Sequence, residues 1–319
     1  MKTEIQPLGD ANLAELAKVN YEARHDSVLS DRAPSVPRIE KALRDVVTRD
    51  SNNIAIQARD DSSGALRGWL NLYTGIPGMV FAGRWYPVVL QGKEQRLTAR
   101  RLIQEAESYT RGIGRGRLEI QFDGITPKHR PLLRKYEKWY SSEGFLKASE
   151  EFYMRAKLAE TALEDHEIPQ GFTLHPLTTV GNEEIRDCFL RAFRDSKDRL
   201  FVSMRAEEQE TTFETCFKRS ESVLEEDSYC IRKEGQVVAF VLVEKDGDKY
   251  LVEWLGVHPE YRRIGLGGAS LAQSLRALSR RGVDSVGIET DVKNTPAIGL
   301  YKRIGFVPVT RQAYYYLNL

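Results

Sequence analysis

Cysteine and histidine are too few and too scattered to suggest a metal site. The three cysteines, Cys188, Cys216 and Cys230, have neither paired nor metal-ligand spacing, and an odd number of cysteines suits a reducing compartment. The five histidines show no H-x-x-x-H or similar spacing. We therefore predict that the chain binds no metal and that its cysteines are packing residues.

Long apolar runs and a large net charge are also missing. The longest strongly apolar stretch, VVAFVLV at 237–243, is far shorter than the roughly 20 residues that cross a bilayer. The polar start MKTEIQPLGD is not a secretory signal. Lys and Arg (47) balance Asp and Glu (46), whereas a protein that coats nucleic acid or an anionic membrane is strongly basic. We predict a soluble, cytoplasmic protein that binds neither nucleic acid nor membrane.

What the sequence does contain is an internal repeat. A helical stretch, a strand stretch opened by a glycine and an aromatic stretch ending in Gly-Phe recur in the same order, at offsets of 169, 171 and 161 residues. Three matches at nearly constant offset indicate a duplicated unit. The matched stretches begin at Ile5 and Leu174, at Gly64 and Gly235, and at Trp139 and Leu300.

The boundary between the halves is marked by a polar, acidic stretch. AETALEDHEIPQGF contains Pro169 and Gly171 and is typical of a linker. We predict a first domain over 1–160, a linker over 161–170 and a second domain over 171–319.

The second half alternates strand and helix patterns. The strand pattern DKYLVEWLGV is followed by a glycine-rich loop, a leucine-spaced helix that Gly282 stops, the strand pattern VDSVGIETDV and a helix for which Thr295 is the predicted N-cap. Alternation of this kind predicts an α/β fold with a mixed, partly parallel sheet flanked by helices.

The loop HPEYRRIGLGG joins a strand to a helix start and predicts a phosphate site. Gly265, Gly267 and Gly268 leave the backbone N–H groups uncovered, and Arg262 and Arg263 add positive charge. A basic surface turn is the alternative interpretation. A Rossmann dinucleotide fingerprint is disfavoured because Ser270 stands where its third glycine belongs, and the Gly-Lys-Ser/Thr ending of a Walker loop is absent.

These residues resemble the GNAT superfamily of acyl-CoA-dependent N-acyltransferases. The resemblance rests on Arg262-x-x-Gly265-x-Gly267, on GVHP before it, and on Asn294 and LYKRIGF after it. It implies that acetyl-CoA is the acyl donor and that Tyr301 is the general acid, and the tandem organisation resembles the mycothiol synthase family. The residues that the resemblance assigns to the coenzyme are Leu255, Gly256, Val257, Arg262, Arg263, Ile264, Gly265, Leu266, Gly267, Gly268 and Asn294.

The first half lacks the loop. VVLQGKEQRLTARRL contains only Gly92, and Leu133 stands at the position corresponding to Asn294. A second glycine-rich stretch, RGIGRGR at 111–117, follows a helix pattern, and a helix C-terminus repels phosphate. We interpret it as a helix stop and the first half as a degenerate GNAT-like domain without a cofactor loop.

Acyl transfer to an amine needs a base, an acid and a donor for the thioester oxygen. Glu289 and Glu253 lie on neighbouring strand patterns, and the spacing of Glu289 to Asn294 and Tyr301 resembles that of peptide α-amine acetyltransferases, which favours Glu289 over Glu253 as the base. The Val257 N–H is the candidate oxyanion donor. We predict an N-acetyltransferase that acts on a primary amine of a small molecule or peptide. A non-catalytic acyl-CoA sensor is the alternative, and residues 192–210 are the candidate acceptor contacts.

Overall fold

The computed structural model describes residues 1–24, 35–82, 87–125, 130–163, 166–217 and 222–319. The chain forms two compact units. Unit 1 comprises Met1–Ala148 and Gln312–Leu319, and unit 2 comprises Ser149–Arg311.

This division differs from the boundaries expected from the sequence, 1–160, 161–170 and 171–319. Residues 151–157 pair with a strand of unit 2, and the last residues of the chain belong to unit 1. Strand pairing joins residues that are far apart in sequence, so a polar linker composition does not mark where a compact unit ends.

Unit 1 is built from the strands and helices of the first half of the chain. Its elements are β1 (Lys2–Pro7), α1 (Asp10–Arg24), α2 (Val36–Arg49), β2 (Asn53–Arg59), β3 (Leu66–Tyr73), β4 (Met79–Ala82), β5 (Val88–Val89), α3 (Gln95–Gly112), β6 (Arg117–Ile125) and α4 (Arg130–Ser142). Glycine-rich residues 111–117 lie at the end of α3, as expected, since Gly114 has a φ of +70° directly after the helix.

Unit 2 carries the second set of elements. They are β7 (Leu146–Lys157), β8 (Thr173–Pro176), α5 (Asn182–Arg194), α6 (Arg199–Val202), α7 (Ala206–Cys216), β9 (Tyr229–Lys233), β10 (Gln236–Asp246), β11 (Lys249–Val257), α8 (Leu266–Arg280), β12 (Ser285–Asp291), α9 (Thr295–Ile304) and β13 (Val307–Asn318). The first three residues of β7 belong to unit 1, as does β13 from Gln312 onward.

Each unit has a mixed sheet with helices on both faces. In unit 1 the strand order is β1-β2-β3-β4-β6-β13, and β4 and β6 are parallel. In unit 2 the order is β7-β12-β11-β10-β9-β8, and β11 and β12 are parallel. The expected α/β architecture with a mixed, partly parallel sheet is confirmed.

The core of unit 2 shows why its strands form there. Successive residues of β10 point to opposite faces: Phe240 and Leu242 join the cluster formed with α5 and α7, whereas Val241 and Val243 join the cluster formed with α8 and α9. Because β10 is buried on both faces, its sequence is continuously apolar. The neighbouring strand β11 is thereby held in the middle of the unit.

Candidate active site

Two carboxylates lie where the parallel pairing of unit 2 stops. Strands β11 and β12 pair at Leu251–Gly287 and Val252–Ile288 and no further, although both strands continue. The next residues are Glu253 and Glu289. On the other edge of β11, Val243 faces Val252 and Leu242 faces Trp254, so that Glu253 is the extra residue of a β-bulge. Pairing therefore ends at a point that presents both glutamates together.

The environment of Glu253 makes it a stronger proton acceptor than an ordinary carboxylate. Its side chain is exposed to solvent, yet desolvation by the surrounding protein raises its pKa to about 8, and the charges of Glu244 and Glu289 add to the increase. A carboxyl group of this kind is mostly protonated at pH 7 and ionises in mildly alkaline solution. Its pKa matches the range in which an amine is deprotonated.

Tyr301 lies on α9 with its side chain buried, as the resemblance requires of an acid. Burial raises its pKa above the ordinary value, and the charge of Asp198 contributes. The ring packs against Phe306 with a centroid distance of 5.9 Å. A phenol of raised pKa stays protonated throughout the neutral range, so its O–H is present as a proton donor at neutral pH.

Further carboxylates surround these residues, and sequence reasoning missed them. Desolvation raises the pKa of Glu151 on β7 well above its usual value, and Asp198, Glu289 and Asp291 add to the increase. Burial also raises the pKa of Asp198, which caps α6 by accepting a hydrogen bond from the Phe201 N–H. Because Glu151 precedes the expected linker, the sequence assigned it to the other domain.

The segment expected to contact the acceptor, residues 192–210, does reach this part of unit 2. Arg199 at the start of α6 donates to Asp291 at the end of β12, with 2.7 Å from Nε to Oδ2. The pair ties the segment to the strand that carries Glu289. No sequence pattern marked Arg199 and Asp291 as partners, since they are 92 residues apart.

The glycine-rich loop is held in place by Arg262. Its guanidinium donates to the Val257 carbonyl (3.2 Å), the Ala192 carbonyl (2.8 Å), and the carbonyl and carboxylate of Asp195 (2.9 and 3.0 Å). The sequence suggested that Arg262 supplies charge to a phosphate, whereas here its side chain fixes the loop to α5. Arg263 is exposed and has a φ of +66°, which non-glycine residues rarely adopt.

The loop fits a phosphate group at the start of α8. Gly265, the N-cap, has a φ of +95°, and a Cβ built there would meet no atom within 4 Å. A Cβ at Gly267 would lie 3.3 Å from Val257 and 3.7 Å from Leu300, so this glycine allows α8 to approach β11 and α9 closely. The helix start is thus open, and helix N-termini bind anions through their unpaired N–H groups.

The remaining loop residues differ in how far they are buried. Leu266 is buried in an apolar cluster with Val238 and Ala269, whereas Ile264 is exposed. Gly268 is also buried, so close packing is a second reason for a glycine at this position, besides access for a ligand.

The strand that the resemblance assigns to the pantetheine arm has a free edge toward β12. Leu255, Gly256 and Val257 pair with β10 on one side, while the pairing with β12 ends at Val252. Gly256 is a glycine for a packing reason, because a Cβ there would lie 2.5 Å from the Phe240 ring. Backbone groups along this edge are therefore available to an extended ligand.

Asn294, not Thr295, caps α9. Its side-chain oxygen accepts a hydrogen bond from the Ala297 N–H at 3.4 Å. The expected cap was therefore wrong by one residue. A contact of Asn294 with the coenzyme stays a prediction, and the side-chain amide N–H groups are the donors left for it.

Neither a metal cluster nor a membrane-spanning helix occurs in the part of the chain that the structure describes. No group of three or more His, Cys, Asp or Glu residues there is placed to hold an ion. No helix among the same residues is long and apolar enough to cross a membrane.

The central parallel strands of unit 2 stop pairing beside a glycine-rich helix start, and a match to a known family identifies the class of protein as a transferase. Residues 183–306 match the family described as Acetyltransferase (GNAT) family. The chain belongs to this family and is an acyltransferase.

Individual relatives agree with this placement. The mycothiol acetyltransferase of Clavibacter sepedonicus is 30% identical over 219 residues, which cover 64% of this chain and 68% of the relative. The [ribosomal protein bS18]-alanine N-acetyltransferase of Escherichia coli (strain K12) is 32% identical over 89 residues, which cover 28% of this chain and 60% of the relative. A tandem GNAT protein from the clavulanic acid biosynthesis pathway shares the fold, with a TM-score of 0.58 and 17% identity over 99% of this chain and 98% of that one.

Proposed function

We propose that unit 2 transfers the acetyl group of acetyl-CoA to a primary amine of a small molecule or peptide by direct attack. The observation that carries the proposal is the placement of Glu253 and Glu289 where the β11–β12 pairing ends, with the glycine-rich loop following β11. The name of one relative, a [ribosomal protein bS18]-alanine N-acetyltransferase, supports an amine acceptor, and another relative is a mycothiol acetyltransferase.

Glu253 takes the proton of the incoming ammonium group. A pKa near 8 gives it a higher proton affinity than an ordinary carboxylate. The spacing in the sequence favoured Glu289 as the base. In this proposal the negative charge of Glu289 instead helps to raise the pKa of Glu253, and the two carboxylates act as a pair.

Tyr301 returns a proton to the departing thiolate. The raised pKa of the buried phenol keeps the proton on oxygen, so it is available to the sulfur as the C–S bond breaks. The N–H of Val257, on the edge of β11 facing the gap, polarises the thioester carbonyl. Acetyl-CoA supplies the activated acyl group, and the residues named here move protons and orient it.

The carboxylates around Tyr301 favour a cationic acceptor. Glu151, Asp198, Glu289 and Asp291 interact with one another electrostatically, and Arg199 is the basic partner of Asp291. A positive charge beside these carboxyl groups lowers their pKa values and favours their ionised forms, whereas a carboxylate raises them further, so the cluster favours an ammonium ion over a carboxylate. Amines that carry an acidic group close to the nitrogen should therefore be poor substrates.

A thiol-release assay tests the proposal. Full-length protein is incubated with acetyl-CoA and matched amines: an alanyl peptide, the same peptide with a dimethylated N-terminus, an amino sugar and a polyamine. We expect amine-dependent release of thiol and an N-acetylated product by mass spectrometry, with none from the dimethylated peptide. Saturable binding of acetyl-CoA without turnover on any primary amine would contradict the proposal. It would support the alternative, a non-catalytic acyl-CoA sensor.

A further inference from the structure

The segment that leads into β8 is fixed against the coenzyme loop of unit 2. The Ala162 N–H donates to the Ile304 carbonyl (2.9 Å) at the end of α9, and Arg276 of α8 donates to the Leu163 carbonyl (2.5 Å). Beyond these contacts, Ile168 and Phe172 pack against the apolar cluster that contains Leu266 and Ala269. Residues 166–172 therefore have a defined position beside the first turn of α8.

His166 of this segment lies directly over Gly268. A Cβ at Gly268 would stand 2.5 Å from His166 Nδ1 and 3.0 Å from Cε1, which is closer than real atoms approach. The imidazole thus occupies the space that a side chain at residue 268 would need. Gly268 is a glycine because the histidine ring rests on the helix backbone.

Gly268 also belongs to the helix turn whose N–H groups have no acceptor within the helix. The first hydrogen bond within α8 runs from the Ala269 N–H to the Gly265 carbonyl (3.0 Å). The N–H groups of Leu266, Gly267 and Gly268 therefore precede the helical ladder. A phosphate bound to these groups lies within reach of a ring that touches Gly268.

We propose that His166 is a coenzyme-binding residue that donates an imidazole N–H to the pyrophosphate of acetyl-CoA. The inference rests on the coenzyme site of the proposed function and adds a residue that the loop pattern does not contain. His166 precedes residues 183–306, which match the family, and lies 96 residues before Arg262, the first residue of that pattern. Imidazole and backbone N–H groups together would hold the phosphate from two segments of the chain.

The test separates hydrogen bonding from packing by two complementary substitutions. His166→Phe keeps a planar ring against Gly268 and removes both ring nitrogens, whereas His166→Gln keeps a donor near Nε2 and removes the ring. Acetyl-CoA affinity is measured by calorimetry on the full-length chain, with melting temperatures to check folding. His175→Phe is the matched control, because His175 lies in the same unit on β8 and bonds to Thr173 (2.9 Å).

We expect His166→Phe to weaken acetyl-CoA binding about ten-fold, as for loss of a hydrogen bond to a charged group. His166→Gln should stay within about three-fold of wild type, as should the His175→Phe control. Should the Phe ring distort the turn, His166→Ala must show the same loss. Wild-type affinity in His166→Phe and His166→Ala, or a loss in His166→Gln that equals the loss in both, would overturn the assignment.

A second ligand identifies the phosphate. Acetyl-dephospho-CoA lacks the 3′-phosphate and keeps the pyrophosphate, so the penalty of His166→Phe should persist with it. Disappearance of the penalty would assign His166 to the 3′-phosphate and contradict the proposal. Failure of wild-type protein to bind acetyl-CoA at all would refute the coenzyme site itself, which is a different outcome.

Discussion

The two units place a pair of parallel strands at corresponding points of their sheets, and among the described residues the two pairings differ in length. In unit 1 the β4–β6 pairing runs over four steps, from Met79–Arg117 to Ala82–Ile120. In unit 2 the β11–β12 pairing ends after two steps, at Val252–Ile288. Among the described residues the ladder is therefore longer in unit 1, whereas in unit 2 a gap opens between the two strands.

The side chains at this point differ as much as the backbones. By register, Phe81 and Glu119 of unit 1 correspond to Glu253 and Glu289 of unit 2. Glu119 is buried in an ion pair with Arg117, with 2.6 Å between Oε1 and Nε. An apolar residue and a paired carboxylate leave unit 1 without a counterpart of the base at this position.

The helix that follows shows the same contrast. In unit 1 the side chain of Gln95, at the start of α3, donates to the Val89 carbonyl (3.3 Å) and accepts from Lys135 of α4 (2.6 Å). In unit 2 the corresponding turn is made of glycines, and Gly267 faces Leu300 of α9. A side chain joins the two helices of unit 1 at the turn where unit 2 has glycines, which supports one coenzyme site per chain.

The largest effect should come from introducing a negative side chain at the glycine-rich loop of unit 2. Gly265→Glu places a negative side chain at the start of α8, and like-charge repulsion of several kcal/mol should reduce kcat/KM for acetyl-CoA more than about a hundred-fold. Gly92→Glu is the control in unit 1, since Gly92 also has a positive φ (+147°) and so shares the backbone strain. Equal losses in both variants would break the comparison.

The next largest effect concerns Tyr301, with Tyr140 of unit 1 as its control. Tyr301→Phe removes the proton donor with little change in volume, and kcat should fall about a hundred-fold while the Kd of acetyl-CoA stays unchanged. Tyr140, the buried counterpart on α4, should tolerate the same substitution without loss of kcat. If Tyr301→Phe turns over like wild type when chemistry limits the rate, the tyrosine serves packing alone.

A smaller effect is a shift of the pH profile. With one acceptor throughout, kcat/KM should rise with pH through the pKa of Glu253, near 8. Glu289→Gln removes a negative charge that raises this pKa, so the rise should move to lower pH; it should not vanish, because desolvation is the larger cause. Glu253→Gln should abolish the rise. The reverse pattern, abolition in Glu289→Gln alone, would make Glu289 the base.

The smallest effect is on stability. The pKa of Glu253 is about 8 in the folded state, above the ordinary value of 4.5, so between these two pH values the folded state binds more protons than the unfolded state. The free energy of unfolding should therefore fall as pH rises from 5 to 8. Urea denaturation of Glu253→Gln should show a shallower fall, and exposed Glu183→Gln should match wild type. Identical slopes would show that Glu253 keeps an ordinary pKa.

The sequence predicted the architecture because its signals are local. Apolar periodicity, Gly282 after α8 and the glycines before it depend on neighbouring residues, and the mixed α/β fold and the family were confirmed. The carboxylates beyond Glu253 and Glu289 escaped notice because they depend on long-range pairing. Glu151 joins the site only because residues 151–157 pair with β12.

Arg262 shows the same limit within the loop itself. Its position next to three glycines suggested a phosphate ligand, but its side chain binds Asp195 and Ala192, about 70 residues away in sequence. Likewise, the linker composition around Pro169 gave no sign that His166 rests on Gly268. Spacing identifies a loop that can bind phosphate, whereas the partners of its side chains follow from the fold.

The central claim, one coenzyme site per chain in unit 2, is tested most directly by the stoichiometry of acetyl-CoA binding. Calorimetric titration of full-length wild-type protein should give one site per chain. Gly265→Glu should abolish the heat, and Gly92→Glu should leave one site of wild-type affinity. Two sites in wild type, or a site that survives Gly265→Glu and is lost in Gly92→Glu, would contradict the account.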